Sequence, residues 1–180
     1  MKTDGPKRKK NKHLSPARQR IREDVKRYGG DVLDSDLMNE AFKQRHHLRS
    51  TLGDHTYRVT RASLRISYLL RRLHIPVDLE SIVVGALCHD LGMIGRGEKY
   101  ASNGECYQKH PDDSAEVARK LFPDLSEKTE EVIRRHMWPI EPGKAPDSLE
   151  GYVVSAADKY SSIIDLIKGS GAYSHKETEE

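Results

Sequence analysis

Between Gly53 and Leu73 the apolar residues Val59, Ala62, Ile66, Leu69 and Leu73 return at steps of three and four, and His55 falls in the same series. That spacing puts all of them on one side of an α-helix. The pattern recurs along the chain. "SPARQRIREDVKRYGG" offers Ser15 as an N-cap, Pro16 as the first helical residue and Gly29-Gly30 as a stop, which reads as a short, charged, peripheral helix. A second helix is expected from Ser35, with Leu37, Met38, Ala41 and Phe42 as its apolar side. Pro76 breaks the long helix, and Asp78 caps the next, in which Ile82, Val83, Ala86 and Leu87 lead to His89 and Asp90. Residues 91–109 hold four glycines and little periodicity, so they read as a long loop, followed by a helix from about Pro111 with Ala115, Ala118 and Leu121 inward. "SEKTEEVIRRHMW" opens on a Ser126 cap and carries Val132, Ile133 and His136, and "LEGYVVSAADKYSSIIDLIKG" sets Val154, Ala157, Asp158, Ser161 and Ile164 on or beside one face. Alternating β-branched and aromatic runs are almost absent, so the expected fold is all-α.

The 180 residues suffice for one domain with a genuine core. Residues 1–30 hold eleven Lys/Arg against three Asp/Glu, so the basic character belongs to an N-terminal arm, expected to be partly disordered. The helical domain is placed at 31–168 and a flexible tail at 169–180. "PKRKKNK" in the arm is a possible contact for nucleic acid, although it lacks interleaved aromatic residues. No apolar run is long enough to span a membrane, which gives a soluble, cytoplasmic expectation with no membrane partner. Cys88 and Cys106 lack CxxC spacing, and Cys88 reads as a small buried side chain.

Five of the helical segments place a polar residue on the buried face or at its end: His55, His89 with Asp90, His110, His136 and Asp158. Left uncompensated, each would cost about 1 to 3 kcal/mol, and more if ionised. A shared metal site removes that cost. Imidazole with carboxylate suits zinc, iron, manganese or cobalt better than calcium, and six donors exceed what one tetrahedral zinc needs. Two divalent ions bridged by one carboxylate would use them all. His13, His46, His47, His74 and His175 are assigned instead to tails, surface or structural roles.

His55, then "HD" at His89-Asp90, then Asp158 in "SAADKY" resembles the signature of the HD-domain metal-dependent phosphohydrolase superfamily. "HTYRV", "GALCHDLG", "HPDDSAEVA", "IRRHMWP" and "AADKYSS" follow in order over roughly residues 35–168, and the likeness is strongest to small stand-alone bacterial HDIG-type members. The resemblance implies an all-α HD-domain bundle with metals at its centre. By that resemblance His55, His89, Asp90 and Asp158 would hold a first metal, and Asp90 would bridge to a second held by His110 and His136. Met93 stands where the commoner pattern has Lys, and no GYP motif is present, which argues against a cyclic dinucleotide substrate.

The function so implied is hydrolysis of a small phosphorylated metabolite or nucleotide, with Asp90 as the catalytic residue orienting an activated hydroxide between two divalent transition metals (Fe, Mn, Co or Zn). Arg58, Arg96, Lys99, Arg135 and Lys159 are candidate contacts for substrate phosphate, and loop 91–109 a candidate lid. A homodimer is compatible with this reading. Two rivals use the same residues: a diiron oxygenase similar to inositol oxygenase, and a noncatalytic regulatory or RNA-binding protein stabilised by metal.

Overall fold

Helix α1 (Pro16–Leu33) buries Ile21, Val25, Gly29 and Val32, residues spaced so that one stripe faces inward. That stripe lies on α4 (Leu79–Cys88), and a Cβ on Gly29 would come within 2.2 Å of the Leu87 side chain. Gly29 and Gly30 therefore do not stop the helix as expected. Gly29 lets α1 lie close on α4, and the helix continues to Leu33. Part of the segment assigned to the basic arm, from Pro16 onward, thus lies in the bundle. The computed structural model describes residues 14–46 and 50–168, with the side chains of 166–168 excepted. The arm's "PKRKKNK", His13, His47, and the tail 169–180 with His175 lie outside the described residues.

The elements continue with α2 (Asp36–Lys43), α3 (Leu52–Arg72), α4, a 3₁₀ turn (Leu91–Met93), α5 (Arg96–Lys99), α6 (Asn103–Leu121), α7 (Glu127–Arg134), a second 3₁₀ turn (Pro142–Lys144) and α8 (Leu149–Lys168). The described residues contain no strand, only an isolated bridge between Arg45 and Thr51. The fold is all-α. Its helices start where short polar side chains satisfy otherwise unpaired amides. Ser35 accepts from the Met38 amide, Asp78 from Glu80 and Ser81, Ser102 from Glu105 and Ser126 from Thr129. Thr51 and Asp54 form a reciprocal capping box at the start of α3.

Helix α4 is the central element. Every residue from Leu79 to Cys88 except Glu80 is buried, and α1, α3, α7 and α8 all pack on it. Its mostly apolar sequence can be satisfied only by such surroundings. Helix α3 packs on α4 and α8, but its inward side departs from the expected one at the C-terminal end. Leu69 and Leu73 are 58% and 62% exposed, while Ser63 and Ser67 are buried. The Ser67 hydroxyl donates to the Ser63 carbonyl at 2.8 Å, which satisfies its polarity inside the bundle.

Helix α6 also differs from expectation, because it begins at Asn103 rather than near Pro111. Its opening is the S-x-x-E pattern of Ser102 and Glu105, and Pro111 is carried inside the helix. The proline removes the partner of the Tyr107 carbonyl, and Tyr107 is exposed. Most of the stretch read as a loop is thus structured, by the 3₁₀ turn, α5 and the first turns of α6. The 3₁₀ turn lies directly on α6: a Cβ on Gly92 would sit 2.5 Å from the Ser114 amide nitrogen and 2.7 Å from the His110 carbonyl oxygen. No described helix is long and apolar enough to cross a membrane.

Candidate metal centre

Six polar residues end up together in the middle of this bundle. His55 lies one turn into α3, just after the capping box. His89 and Asp90 follow the last turn of α4, His110 is in the middle of α6, His136 is in the turn after α7, and Asp158 is in α8. All six are buried, with none more than 6% exposed. The end of α4 supplies two adjacent side chains because the backbone leaves helical geometry at Asp90, with φ −115° and ψ 3°.

Three of the histidines are oriented in the same way. The Nδ1–H of His89 donates to the Ala86 carbonyl at 2.8 Å, that of His110 to Cys106 at 2.8 Å and that of His136 to Ile133 at 2.7 Å. A carbonyl can only accept, so each Nδ1 carries the proton and each Nε2 is left to present a lone pair inward. These Nε2 atoms converge on Asp90. Oδ1 lies 3.3 Å from His110 and 3.5 Å from His136, and Oδ2 lies 3.3 Å from His89 and 3.7 Å from His55 Nε2. Asp158 Oδ1 closes the Oδ2 side, 3.0 Å from His55 Nε2 and 3.9 Å from His89 Nε2. The two oxygens of Asp90 therefore face two different sets of donors.

Without a cation this arrangement is internally unfavourable. His89 Nε2 is buried and makes no hydrogen bond, an omission that costs about 1 to 3 kcal/mol. His110 and His136 bring their Nε2 atoms to 3.1 Å, where two lone pairs repel unless a proton or a cation stands between them. Protons divide unevenly across the pair. Burial opposes a charged His110, but the hydrogen bond to Asp90 outweighs it and raises its pKa. Burial lowers that of His136 to about 4, with the neighbouring His89 and His110 adding to the shift against Asp90. Asp90 is held well below the usual carboxylate range: burial opposes this, and His89, His110 and His136 prevail. A divalent ion satisfies the same lone pairs and carboxylates at once, so the donor set fits the group that the sequence implied.

His55 has a second partner that the sequence reading missed. Its Nδ1 faces Asp165 Oδ2 at 3.4 Å, and Arg58 Nη2 holds the same carboxylate at 2.8 Å from Oδ1 and 2.9 Å from Oδ2. Burial disfavours a charged His55, but the hydrogen bonds to Asp158 and Asp165 raise its pKa to about 9. A carboxylate behind a ligating imidazole is the usual outer support of a metal site. Asp165 follows Asp158 by seven residues, two turns along one helix face, which is the signal by which sequence could have found it.

His46, expected at a surface or structural position, is brought to the same centre. Its Nε2 lies 4.0 Å from Asp90 Oδ2, its side chain is 8% exposed, and its ring centroid is 4.7 Å from that of His55. The groups His46–His55–Asp90, His55–His89–Asp158 and His89–Asp90–His136 each bring their donor atoms within 4.8 Å of one another.

The five candidate phosphate contacts are spread more widely. Lys159 is nearest the centre, donating to Asp158 Oδ2 at 2.7 Å and to the His136 carbonyl at 3.0 Å. Arg58 is tied to Asp165. Arg96 donates to the His46 carbonyl at 3.3 Å, and Lys99 pairs with Asp113 at 2.9 Å. Arg135 faces away along the chain, toward the Ala145 carbonyl and Asp147.

A family model of the HD domain matches residues 52–163, more than half of the chain and all of α3 through most of α8. No curated protein and no solved structure matches. The matched span contains His55, His89, Asp90, His110, His136 and Asp158, and the chain belongs to the HD-domain family, an all-α family generally made up of metal-dependent phosphohydrolases.

Proposed function

We propose that this protein is a metal-dependent phosphohydrolase that acts on a small phosphorylated metabolite or nucleotide and uses two divalent transition metals. The observation that carries this reading is the division of Asp90, with Oδ1 facing His110 and His136 and Oδ2 facing His55 and His89. When bound, the ions supply a low pKa for water and charge stabilisation on the phosphoryl oxygens.

The protein's own part is to position. The carbonyls of Ala86, Cys106 and Ile133 lock three imidazoles in one tautomer, so the donors need no rearrangement to bind cations. Asp165 and Arg58 do the same for His55. The carboxylate of Asp90 holds the two halves at a fixed separation and orients the attacking water. The water oxygen forms the new bond to phosphorus as the bond to the leaving group breaks, and its proton passes out through solvent or to the leaving oxygen. Lys159 and Arg96 offer positive charge to the phosphate once substrate competes for their present partners.

Metal-stripped protein, alone and reloaded with Mn, Co, Fe or Zn, tested against a panel of nucleotides and sugar phosphates, examines this directly. Release of phosphate or nucleotide that requires added metal is the expected result. Turnover equally fast in stripped protein, or none on any phosphoester with metal fully bound, would contradict it.

A further inference from the structure

We propose that His46 is a further protein ligand of the metal centre, on the side of Asp90 Oδ2. The inference rests on the reading that the centre binds metal, but not on the reaction it performs. Imidazole nitrogen and carboxylate oxygen bind zinc-like ions at about 2.1 Å, so two donors on one ion lie at most about 4.2 Å apart. His46 Nε2 is 4.0 Å from Asp90 Oδ2, within that limit, as are the 3.7 Å of His55, the 3.3 Å of His89 and the 3.0 Å between His55 and Asp158.

The segment that carries His46 is held in place by several hydrogen bonds. The Gln44 side chain spans the backbone after the 3₁₀ turn, donating to the Met93 carbonyl at 2.8 Å and accepting from the Gly95 amide at 2.7 Å. The Leu52 amide donates to the Gln44 carbonyl at 2.9 Å, and the His46 amide to the Ser50 carbonyl at 2.9 Å. Arg96 adds a bond to the His46 carbonyl. The backbone of Gln44 and His46 is thus tied to Ser50, to the start of α3 and to the turn after Asp90, and the imidazole places its Nε2 toward Asp90. A histidine that served only to pack on His55 would not require its nitrogen within reach of a carboxylate that His55 and His89 already share.

The consequence is an asymmetric centre. His46, His55 and His89 face Asp90 Oδ2, with Asp158 closing on His55 and His89, whereas His110 and His136 face Oδ1.

Full-length protein loaded with Co2+ and labelled with 15N-histidine tests this by NMR, because each ligating imidazole gives a hyperfine-shifted N–H resonance. Such resonances are expected from His46, His55, His89, His110 and His136, with one fewer in His46→Gln and Co2+ affinity weaker by at least about 10-fold. Should His46→Gln fail to fold, the wild-type count alone decides. Resonances from His55, His89, His110 and His136 but not His46, or unchanged Co2+ affinity in a folded His46→Gln, would overturn the proposal, even if the protein hydrolyses phosphoesters. Conversely, a wild-type spectrum that includes His46 sustains it in a protein without hydrolase activity.

Discussion

His110 and His136 meet with their Nε2 atoms 3.1 Å apart, and each has its other ring nitrogen committed to a backbone carbonyl. Two nitrogens so placed call for a proton or a cation between them. Purified protein is therefore expected to hold about two transition-metal equivalents per chain, and His110→Ala to lose about one of them preferentially. Elemental analysis of the two proteins checks this. Equal metal content would mean that the pair does not hold an ion.

Asp165 supports His55 without reaching Asp90 itself. Asp165→Asn keeps the shape but weakens the charge behind the imidazole and leaves Arg58 without its carboxylate partner. Metal affinity, measured by competition with a chromophoric chelator, should fall by about 10- to 100-fold while the helical content is retained.

The metal-stripped protein should have a stability maximum near pH 6.5. The pKa of His55 is raised to about 9 in the folded state, so its contribution is complete below the unfolded value of 6.5 and is lost as the pH rises through 9. The loss is on the order of 3 kcal/mol. His136 acts in the other direction: its pKa is lowered to about 4, so between pH 4 and 6.5 the unfolded chain binds a proton that the folded chain does not, and stability rises with pH. Denaturant midpoints at pH 5, 6.5 and 9.5 test both limbs, and Asp165→Asn should flatten the alkaline one.

Gly92→Ala is expected to be disruptive despite its size. The added Cβ would meet the backbone of α6 at Ser114 and at His110, and backbone cannot swing aside as a side chain can. A destabilisation of about 1 to 3 kcal/mol is expected by denaturant titration, together with reduced metal content because His110 is displaced.

The helices and most of the site were legible in the sequence for the same reason. Steps of three and four mark which residues face inward, and His55 and Asp158 fall in those steps. His46 does not. It lies outside any helix, and what turns it inward is Gln44 bonding to Met93 and Gly95, partners 49 and 51 positions away that no local pattern announces. The start of α6 was obscured by glycines and by Pro111, although Ser102 and Glu105 carried its signature. Leu69 and Leu73 continue the periodicity of α3, but the side that packs inward there is that of Ser63, Ser67 and Leu70. Long cations such as Arg58 and Arg135 reach whichever acid or carbonyl tertiary structure presents, so adjacency in sequence to a ligand foretold little about their partners.

In the proposed function one carboxylate, Asp90, joins two metal-holding halves into a hydrolytic centre. Phosphate release by metal-loaded Asp90→Ala, measured beside the wild type on the best substrate found, tests it most directly. A fall of more than about 100-fold is expected, beyond what loss of a supporting partner behind a ligand produces. Activity within a few-fold of the wild type would contradict it.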